Sequence, residues 1–277
     1  MHAQEFNILV MCRVLAVSRS GYYAWLKRPP SERERADQEL AQLIQVAHQH
    51  SRGTYGSPRV HAELQAQGHK IGRKRVARLM RSQALAARRR RRFKVTTRVR
   101  AGRLAAPNVL DQQFHAARPN EKWLADTTYI PTREGWLYLS AVLDVHSRRI
   151  VGWAMASQQT QQLVIDALRM AWQQRRPAEQ LLHHSDRGSQ YTAEAYQKLL
   201  KAYGVTLSMS GTGNCYDNAM MESFFSTLKA ECVIGTYNNR QEARQSIFEY
   251  IEVWYNRQRR HSSLGYLSPA AFEQAAS

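Results

Sequence analysis

Apolar residues recur at helical spacing through the first part of the chain. Residues 11–25 predict two short helices around a turn, a small helix-turn-helix or a helical hairpin, with these side chains facing inward: Val14, Leu15, Val17, Tyr22 and Trp25. Pro29-Pro30 ends that segment, and a third helix is expected from about Glu32 to His50. Ser57-Pro58 then predicts an N-cap followed by proline at the first helical position.

The helix that starts there is expected to end at Gly68 and to be followed, after a turn, by a second helix from Arg73 to Ser82. This pair has a helix-turn-helix shape. Four arginines leave the apolar stripe of the second helix and are candidate contacts to DNA phosphates or guanine edges, namely Arg73, Arg75, Arg78 and Arg81. The alternative is a basic amphipathic helix without base contacts.

Alternating and continuous apolar runs take over after about residue 120. Three strand-like segments, 122–130, 136–144 and 150–155, predict a meander. A helix at 161–174, a strand at 181–185, a helix at 193–203, a strand at 205–209 and a helix from about Ala219 follow. The order βββαβαβα predicts a mixed α/β sheet.

Charge changes this picture most. The net charge of the 277 residues is +18, and no acidic residue occurs between Glu63 and Asp111, a segment with fifteen Lys or Arg residues that include the run Arg88, Arg89, Arg90, Arg91 and Arg92. Such a segment repels itself unless it faces a polyanion, which indicates a nucleic-acid partner, although charge alone does not distinguish DNA from RNA. A solvated charge run or a localisation-type basic tract is the alternative.

Cysteine content and hydropathy narrow the remaining classes. Cys12, Cys215 and Cys232 are odd in number and form no C-x-x-C pair, so neither a disulfide framework nor a zinc site is expected. No apolar run is long enough for a membrane span, and the first residues lack a signal-peptide pattern, so we expect an intracellular protein without a membrane partner.

Three carboxylates have positions that suit metal chemistry. Asp126 is expected in the middle of a strand, Asp186 at the exit of another, and Glu222 on the first turns of a helix, so a sheet could bring all three to one edge. Mg²⁺ prefers carboxylate oxygens, and two ions can activate an attacking oxygen and stabilise the leaving one. Each acid taken singly is more often a structural hydrogen-bond acceptor.

Segments 123–130, 184–191 and 213–225 resemble the insertion-sequence transposases of the OrfB class, whose catalytic core is of the retroviral-integrase type (DDE, rve). In that family thirty-five residues separate the second Asp from the Glu, as they separate Asp186 from Glu222 here. A basic residue seven positions after the Glu is also typical of the family, and Lys229 occupies that position. The resemblance extends over nearly the whole chain.

What the resemblance implies is specific. It implies an α/β, RNase H-like mixed-sheet core behind an N-terminal all-α helix-turn-helix region, with Asp126, Asp186 and Glu222 as catalytic and metal-binding residues and Lys229 as a DNA contact. It implies a DNA transposase that cleaves and joins insertion-sequence ends with two Mg²⁺ ions, for which Mn²⁺ substitutes. No nucleotide cofactor is expected, since no lysine ends the glycine loop at 211–213.

Expected partners follow from the same resemblance. They are double-stranded DNA, both element ends and target, and further copies of the chain assembled on it, in a bacterial cytoplasm and associated with the nucleoid. An upstream OrfA-type protein, or a fusion with it, is a further partner to consider, because many relatives carry an upstream helix-turn-helix and a leucine zipper and this chain has no such heptad run.

Several other residues have two interpretations each. Asp144 is a structural acceptor or a metal ligand, and His183 and His184 are structural or face DNA. Asn218 either holds a substrate phosphate or starts its helix. Near the C-terminus, a helix is expected to pack aromatic side chains on the core while bases reach DNA, namely Arg257, Arg259 and Arg260.

The predicted organisation has five parts: a short helical segment at 1–30, a helix-turn-helix domain at 31–87, a basic arm at 88–120, the catalytic core at 121–235 and a helical extension at 236–277. Two other functions fit the same residues. One is a helix-turn-helix regulator with an inactive core, and the other is an RNase H-fold nuclease that cuts DNA without joining it.

Overall fold

A computed structural model describes residues 6–88, 106–178, 180–211 and 215–276. The N-terminal part is helical, with α1 (Ile8–Val14), α2 (Arg19–Lys27), α3 (Glu32–His50), α4 (Ser57–Ala66) and α5 (Arg73–Ser82). Within the described residues, no helix is both long and apolar enough to cross a bilayer.

The helix starts follow local capping chemistry. Ser31 and Glu34 form a reciprocal capping box at α3, as the sequence S-x-x-E favours. At α4 the N-cap is Gly56 and not Ser57, so the predicted cap is wrong by one residue, and the start of this helix has no side-chain cap. Pro58 still lies in the first turn, where its missing N–H is not needed.

Helices α3, α4 and α5 pack together around buried side chains, whereas α1 buries only Cys12 and α2 buries none. Ile44, Val60 and Val76 are fully buried between α3, α4 and α5. The inward-facing prediction for the first two helices is wrong for four of its five side chains, which remain largely exposed, and Tyr22 is half-buried. The exposed fractions of the four are Val14 77%, Leu15 69%, Val17 49% and Trp25 52%. Helical spacing predicted the helices but not a surface to cover them.

The second part contains the sheet, and the predicted element order is confirmed. Its elements are β1 (Lys122–Thr132), β2 (Gly135–Asp144), β3 (Ile150–Ala156), α6 (Gln161–Arg175), β4 (Leu182–Ser185), α7 (Glu194–Ala202), β5 (Thr206–Met209) and α8 (Ala219–Glu231). In the described residues the sheet has five strands in the order β3-β2-β1-β4-β5. The meander β1-β2-β3 is antiparallel, and β1-β4 and β4-β5 are parallel.

Helices cover both faces of this sheet. Successive residues of β1 alternate between faces, so Leu124 belongs to one buried cluster while Trp123 and Ala125 belong to the other. On the second face α6 crosses β3 very closely at Gly152, where a Cβ would overlap the Ala167 carbonyl and the Ala171 nitrogen. The glycine therefore sets the spacing between helix and sheet.

The C-terminal residues return to the sheet and to the helical part. Helix α9 (Arg240–Glu249) continues as a π-helical turn, Tyr250–Tyr255, and α10 (Pro269–Ala276) follows. The predicted packing of Ile251 and Trp254 on the core is confirmed, since they are 0% and 3% exposed. Asn256 bonds both backbone groups of Ile150 on β3 at 2.9 Å. One buried cluster thus spans α3–α5, the sheet and the C-terminal helices. The division of the chain into five parts stays a prediction.

Candidate active site

Strand pairing places the first two carboxylates side by side. The parallel ladder between β1 and β4 ends at Ala125 and Ser185, and Asp126 and Asp186 are the next residue of each strand. Neighbouring strands lie about 4.8 Å apart, so the two acids leave the sheet as neighbours. Beyond this point β1 continues to Thr132 without β4 beside it, which opens an edge of the sheet.

The third carboxylate comes from α8, which packs against β1. Glu222 is exposed on the first turn of this helix, while Met221 and Phe225 on either side of it are buried. Asn218 fastens the start of α8 to β1, because its Nδ2 donates to the Ala125 carbonyl at 3.3 Å, one residue before Asp126. Asn218 is the N-cap residue of α8, as the helix-start interpretation predicted, but its side chain does not cap the helix and instead connects helix and strand.

The pKa of each of the three acids is raised, whereas a carboxylate paired with a cation usually has a lowered pKa. Burial and the negative charge of Asp186 raise the pKa of Asp126 well above its usual value; Glu222 adds to this, and a hydrogen bond from the Thr127 N–H and the charge of Lys229 oppose it. Burial also raises the pKa of Asp186, whose Oδ1 accepts from the Gly188 N–H at 2.9 Å, and the pKa of Glu222. Acids that repel one another favour a bound cation.

The three acids lie near one another but do not surround a common position for a metal ion. In the part of the chain that the structure describes, no three His, Cys, Asp or Glu side chains are close enough together to form a ready metal cluster. The donor set nevertheless fits a hard cation, since it consists of carboxylate oxygens only, burial raises the pKa of both Asp126 and Asp186, and the charge of Asp186 raises that of Asp126 further.

An anchor that the sequence did not single out lies just before α8. The Asp217 carboxylate is buried and accepts from the Gly211 N–H at 2.7 Å, from Asn108 Nδ2 at 2.9 Å and from Gln112 Nε2 at 3.2 Å. These bonds join three segments at the start of α8. An acid directly before a helix is too common a pattern to have revealed it.

Other predicted residues have structural surroundings. Asp144 is fully buried and accepts from the backbone N–H groups of Asn120 and His146, which supports the structural interpretation. His183 bonds the Tyr196 hydroxyl at 2.7 Å, and His184 bonds Ser208 and Ser210. Burial lowers the pKa of His183 to about 3 and that of His184 to about 4, so both are neutral near pH 7.

The candidate DNA contacts fall into different settings. On α5, Arg73 and Arg81 are exposed, while Arg75 and Arg78 form ion pairs with Asp37 of α3 at 2.8 and 2.6 Å. Arg88 is exposed, and Arg89, Arg90, Arg91 and Arg92 lie outside the described residues.

Near the C-terminus only one of the three predicted bases faces solvent. Arg257 is exposed, and Arg260 forms an ion pair with Glu63 of α4 at 2.6 Å. The expectation that Arg259 reaches DNA is wrong, because its guanidinium is 2% exposed and pairs with the buried Glu231. The Arg259 side chain turns inward because its counterion is Glu231, a buried acid at the end of α8.

Comparison with known proteins agrees with this geometry. Family models described as "Integrase core domain" match residues 116–215 and 203–269, and one described as "HTH-like domain" matches residues 34–93. The chain is 49% identical over 265 residues to the "Insertion element IS600 uncharacterized 31 kDa protein" of Shigella sonnei, covering 95% of this chain and 97% of that protein. It is 45% identical over 276 residues to "Transposase InsF for insertion sequence IS3A" of Escherichia coli (strain K12), covering 98% and 96%.

The chain belongs to the insertion-sequence transposase family. The resemblance and the RNase H-like fold class predicted from sequence are thereby confirmed. Among solved structures, the "HTLV-2 integrase catalytic core domain in complex with magnesium" matches with a TM-score of 0.42 and 14% identity, over 57% of this chain and 99% of that one. A "simian T-cell lymphotropic virus intasome" chain matches with a TM-score of 0.44 and 11% identity, over 83% and 74%.

Proposed function

We propose that this chain is the catalytic protein of the transposase that its insertion sequence encodes. Asp126, Asp186 and Glu222 carry out cleavage and joining of DNA strands at the element's ends. The observation that supports this most directly is the end of the β1–β4 ladder, which makes Asp126 and Asp186 neighbours, with Glu222 on the helix packed over the same strand.

The three carboxylates would hold Mg²⁺, two ions during catalysis, with Mn²⁺ as a substitute. When bound, such ions neutralise charge on the reacting phosphate and activate the attacking oxygen. The chain's own part is to hold Asp126 on a rigid strand and Glu222 on a helix tethered by Asn218 and Asp217. Water, or the 3′-hydroxyl of a DNA strand, is the nucleophile, and no covalent protein intermediate forms.

DNA binding would extend over the helical part and the basic segment. Exposed Arg73, Arg81, Arg88 and Arg257 are candidates for phosphate contacts, and Lys229 lies beside the carboxylates, where the charge of Asp126 acts on its pKa. Arg75, Arg78 and Arg260 are already engaged in ion pairs, so their contact with DNA would require the exchange of one anion for another. We propose assembly of several copies on DNA, with an upstream OrfA-type protein as a possible addition.

The test is cleavage and joining of labelled element-end DNA with Mg²⁺ or Mn²⁺. We expect wild type to give cut and joined strands and Glu222→Gln and Asp126→Asn to lose both by about 10³-fold or more, because the metal's several kcal/mol of transition-state stabilisation is removed. Glu194→Gln, a change of an exposed acid on α7, is the matched control and keeps full activity.

Three results would contradict the proposal. Cut strands without joined product would indicate the nuclease, and DNA binding by the wild type without either product, also after addition of the upstream partner protein, would indicate the regulator. An Asp126→Ala protein that keeps every biological activity would point to the regulator as well.

A further inference from the structure

Two large aromatic side chains remain exposed close to the carboxylates. Tyr129 on β1 is 41% exposed and Trp136 on β2 is 49% exposed, and their rings meet edge to face with centroids 4.9 Å apart. Both lie on the same face of the β1–β2 hairpin, because Tyr129 pairs with Tyr138 and Trp136 with Pro131. An exposed aromatic pair next to a proposed reaction centre indicates a contact surface.

A cation completes this pair. The Lys229 ammonium lies over the Tyr129 ring, 4.7 Å from its centroid, and burial lowers the pKa of Lys229 while the charge of Asp126 opposes that change. Lys229 thus stands between the aromatic pair and the carboxylates. This combination of π faces and a positive charge is what a nucleotide meets on proteins that bind single strands.

The hairpin that carries the pair is fastened from outside. The Arg240 side chain donates to the carbonyls of Glu134 and Trp136, and its backbone N–H donates to the Glu134 carboxylate at 2.9 Å. Tyr237 exchanges backbone hydrogen bonds with Pro131 and Arg133. A surface held in this way is organised before any ligand arrives, which reduces the entropy lost on binding.

Two independent paths give the distance from the reaction centre. Tyr129 lies three residues beyond Asp126, about 10 Å along the strand and on the opposite face of the sheet, and Lys229 connects the two because it contacts the Tyr129 ring and is affected by the charge of Asp126. Lys229 lies seven residues beyond Glu222, about 10 Å along α8. Successive nucleotides of an unpaired strand are further apart than the roughly 3.4 Å of stacked bases in a duplex, so a base on this surface would belong to a nucleotide within about three positions of the reacting phosphate.

We infer that Tyr129 and Trp136 form a stacking platform for an unpaired base of the DNA strand that reaches the carboxylates, with Lys229 at the phosphate beside that base. The inference rests on the proposed function and adds to it a specific subsite. A nucleotide fits this surface better than an apolar protein partner does, because it supplies a π face for the two rings and a phosphate for the Lys229 ammonium.

Photocrosslinking tests the platform without catalysis. The probe is a DNA duplex with a single-stranded 3′ extension that carries 5-iododeoxyuridine at one position at a time, bound to the Glu222→Gln protein. We expect crosslinks to peptides containing Tyr129 or Trp136, with a maximum at a position within about three nucleotides of the 3′ end. A yield that does not depend on position, or crosslinks only to other peptides, overturns the inference.

Affinity measurements give the second readout. Trp136→Ala should weaken binding of the extended duplex about ten-fold and leave binding of a blunt duplex unchanged, and Trp136→Phe should restore most of the loss. Phe248→Ala is the matched control, since Phe248 is 51% exposed and lies edge to face against Trp153 at 5.9 Å. Equal binding by Trp136→Ala and wild type would overturn the inference.

A protein interface would give a different pattern. If Trp136→Ala changed the sedimentation of the DNA-free protein and weakened binding of both duplexes equally, the aromatic pair would belong to an interface between copies, and the inference would be wrong. Because crosslinking uses an inactive protein, the platform can be established even where cleavage and joining fail, and it can fail where they succeed.

Discussion

Acidic side chains occupy two contrasting regions of this molecule. At the open edge of the sheet, Asp126 has carboxylates for neighbours, and burial together with their charge raises its pKa. At the closed end of α8, the Glu231 carboxylate receives two hydrogen bonds from Arg259, at 2.8 and 2.7 Å, and one from the Tyr250 hydroxyl. The charge of Lys229 offsets only part of the shift at Asp126, so the first arrangement favours a further cation from outside, whereas the second supplies its own cation.

The contrast separates acids kept for structure from acids proposed for chemistry. A buried carboxylate with an arginine partner is complete within the chain, as Glu273 is with Arg149 and Arg175. A group of carboxylates that repel one another persists only where the surrounding fold holds it, which is typical of functional sites. The identity of the neighbours therefore distinguishes the two regions: arginine for Glu231 and Glu273, other carboxylates for Asp126.

The closed region should show the largest effect on stability. Glu231→Gln leaves the Arg259 charge buried without a counterion, and we expect the free energy of unfolding to fall by about 3–5 kcal/mol, measured from urea midpoints. Glu194→Gln, which breaks the exposed pair with Lys198, should change it by no more than about 0.5 kcal/mol. A loss below about 1 kcal/mol for Glu231→Gln would remove the distinction between buried and exposed pairs.

The second closed pair adds a pH signature. Burial by itself would raise the pKa of Glu273, but hydrogen bonds from Arg175 and Ser147 outweigh it, and the pKa is lowered below 4.5. Its stabilisation is therefore present above the unfolded-state pKa and is lost as the pH falls through the folded one. Glu273→Gln should cost about 1–3 kcal/mol at pH 7, with a difference from wild type that shrinks in acid. A constant difference would contradict the ionic origin.

The open region should respond to cations. At a Mg²⁺ concentration ten times the dissociation constant, binding to the folded state adds about 1.4 kcal/mol to the free energy of unfolding. We expect the wild-type melting temperature to rise accordingly and that of Glu222→Gln to rise less. Equal rises in both proteins would place the bound ion away from the three carboxylates.

Removal of one charge from the open region should have the smallest effect and the opposite sign. Asp126→Asn relieves a buried charge that faces Asp186, so in metal-free buffer at pH 7 the variant should unfold at higher urea than wild type, by on the order of 1 kcal/mol. Activity and stability would then change in opposite directions. A destabilised Asp126→Asn would mean that the carboxylate is needed for the fold.

Local patterns were sufficient for the elements and for the three carboxylates. The period of the apolar residues predicted the order βββαβαβα, and Asp126, Asp186 and Glu222 occupy the strand, strand exit and helix start expected of them. The pattern did not show which part of the chain packs against each apolar surface. Nothing local distinguishes Val14, which is exposed, from Ile44, which is covered, because cover depends on residues far away in the chain.

Long-range pairing also explains what was missed at the site. Arg257 and Arg259 are two residues apart in one basic run, and only the position of Glu231 decides that Arg259 turns inward. The aromatic platform depends likewise on the β1–β2 register, which puts Trp136 diagonally across from Tyr129, and on the helix that delivers Lys229.

The bond between Arg260 and Glu63 joins residues 197 positions apart. At synthesis rates of about 5–20 residues per second, the helical part would leave the ribosome roughly 10–40 s before its partner exists. During that interval the apolar faces of α3 to α5 that later meet the C-terminal helices remain open to other nascent chains and to chaperones. The order of synthesis thus makes closure of the molecule one of the last events in its folding, and premature termination upstream of Arg260 would leave helices α3 to α5 without the Arg260–Glu63 bond.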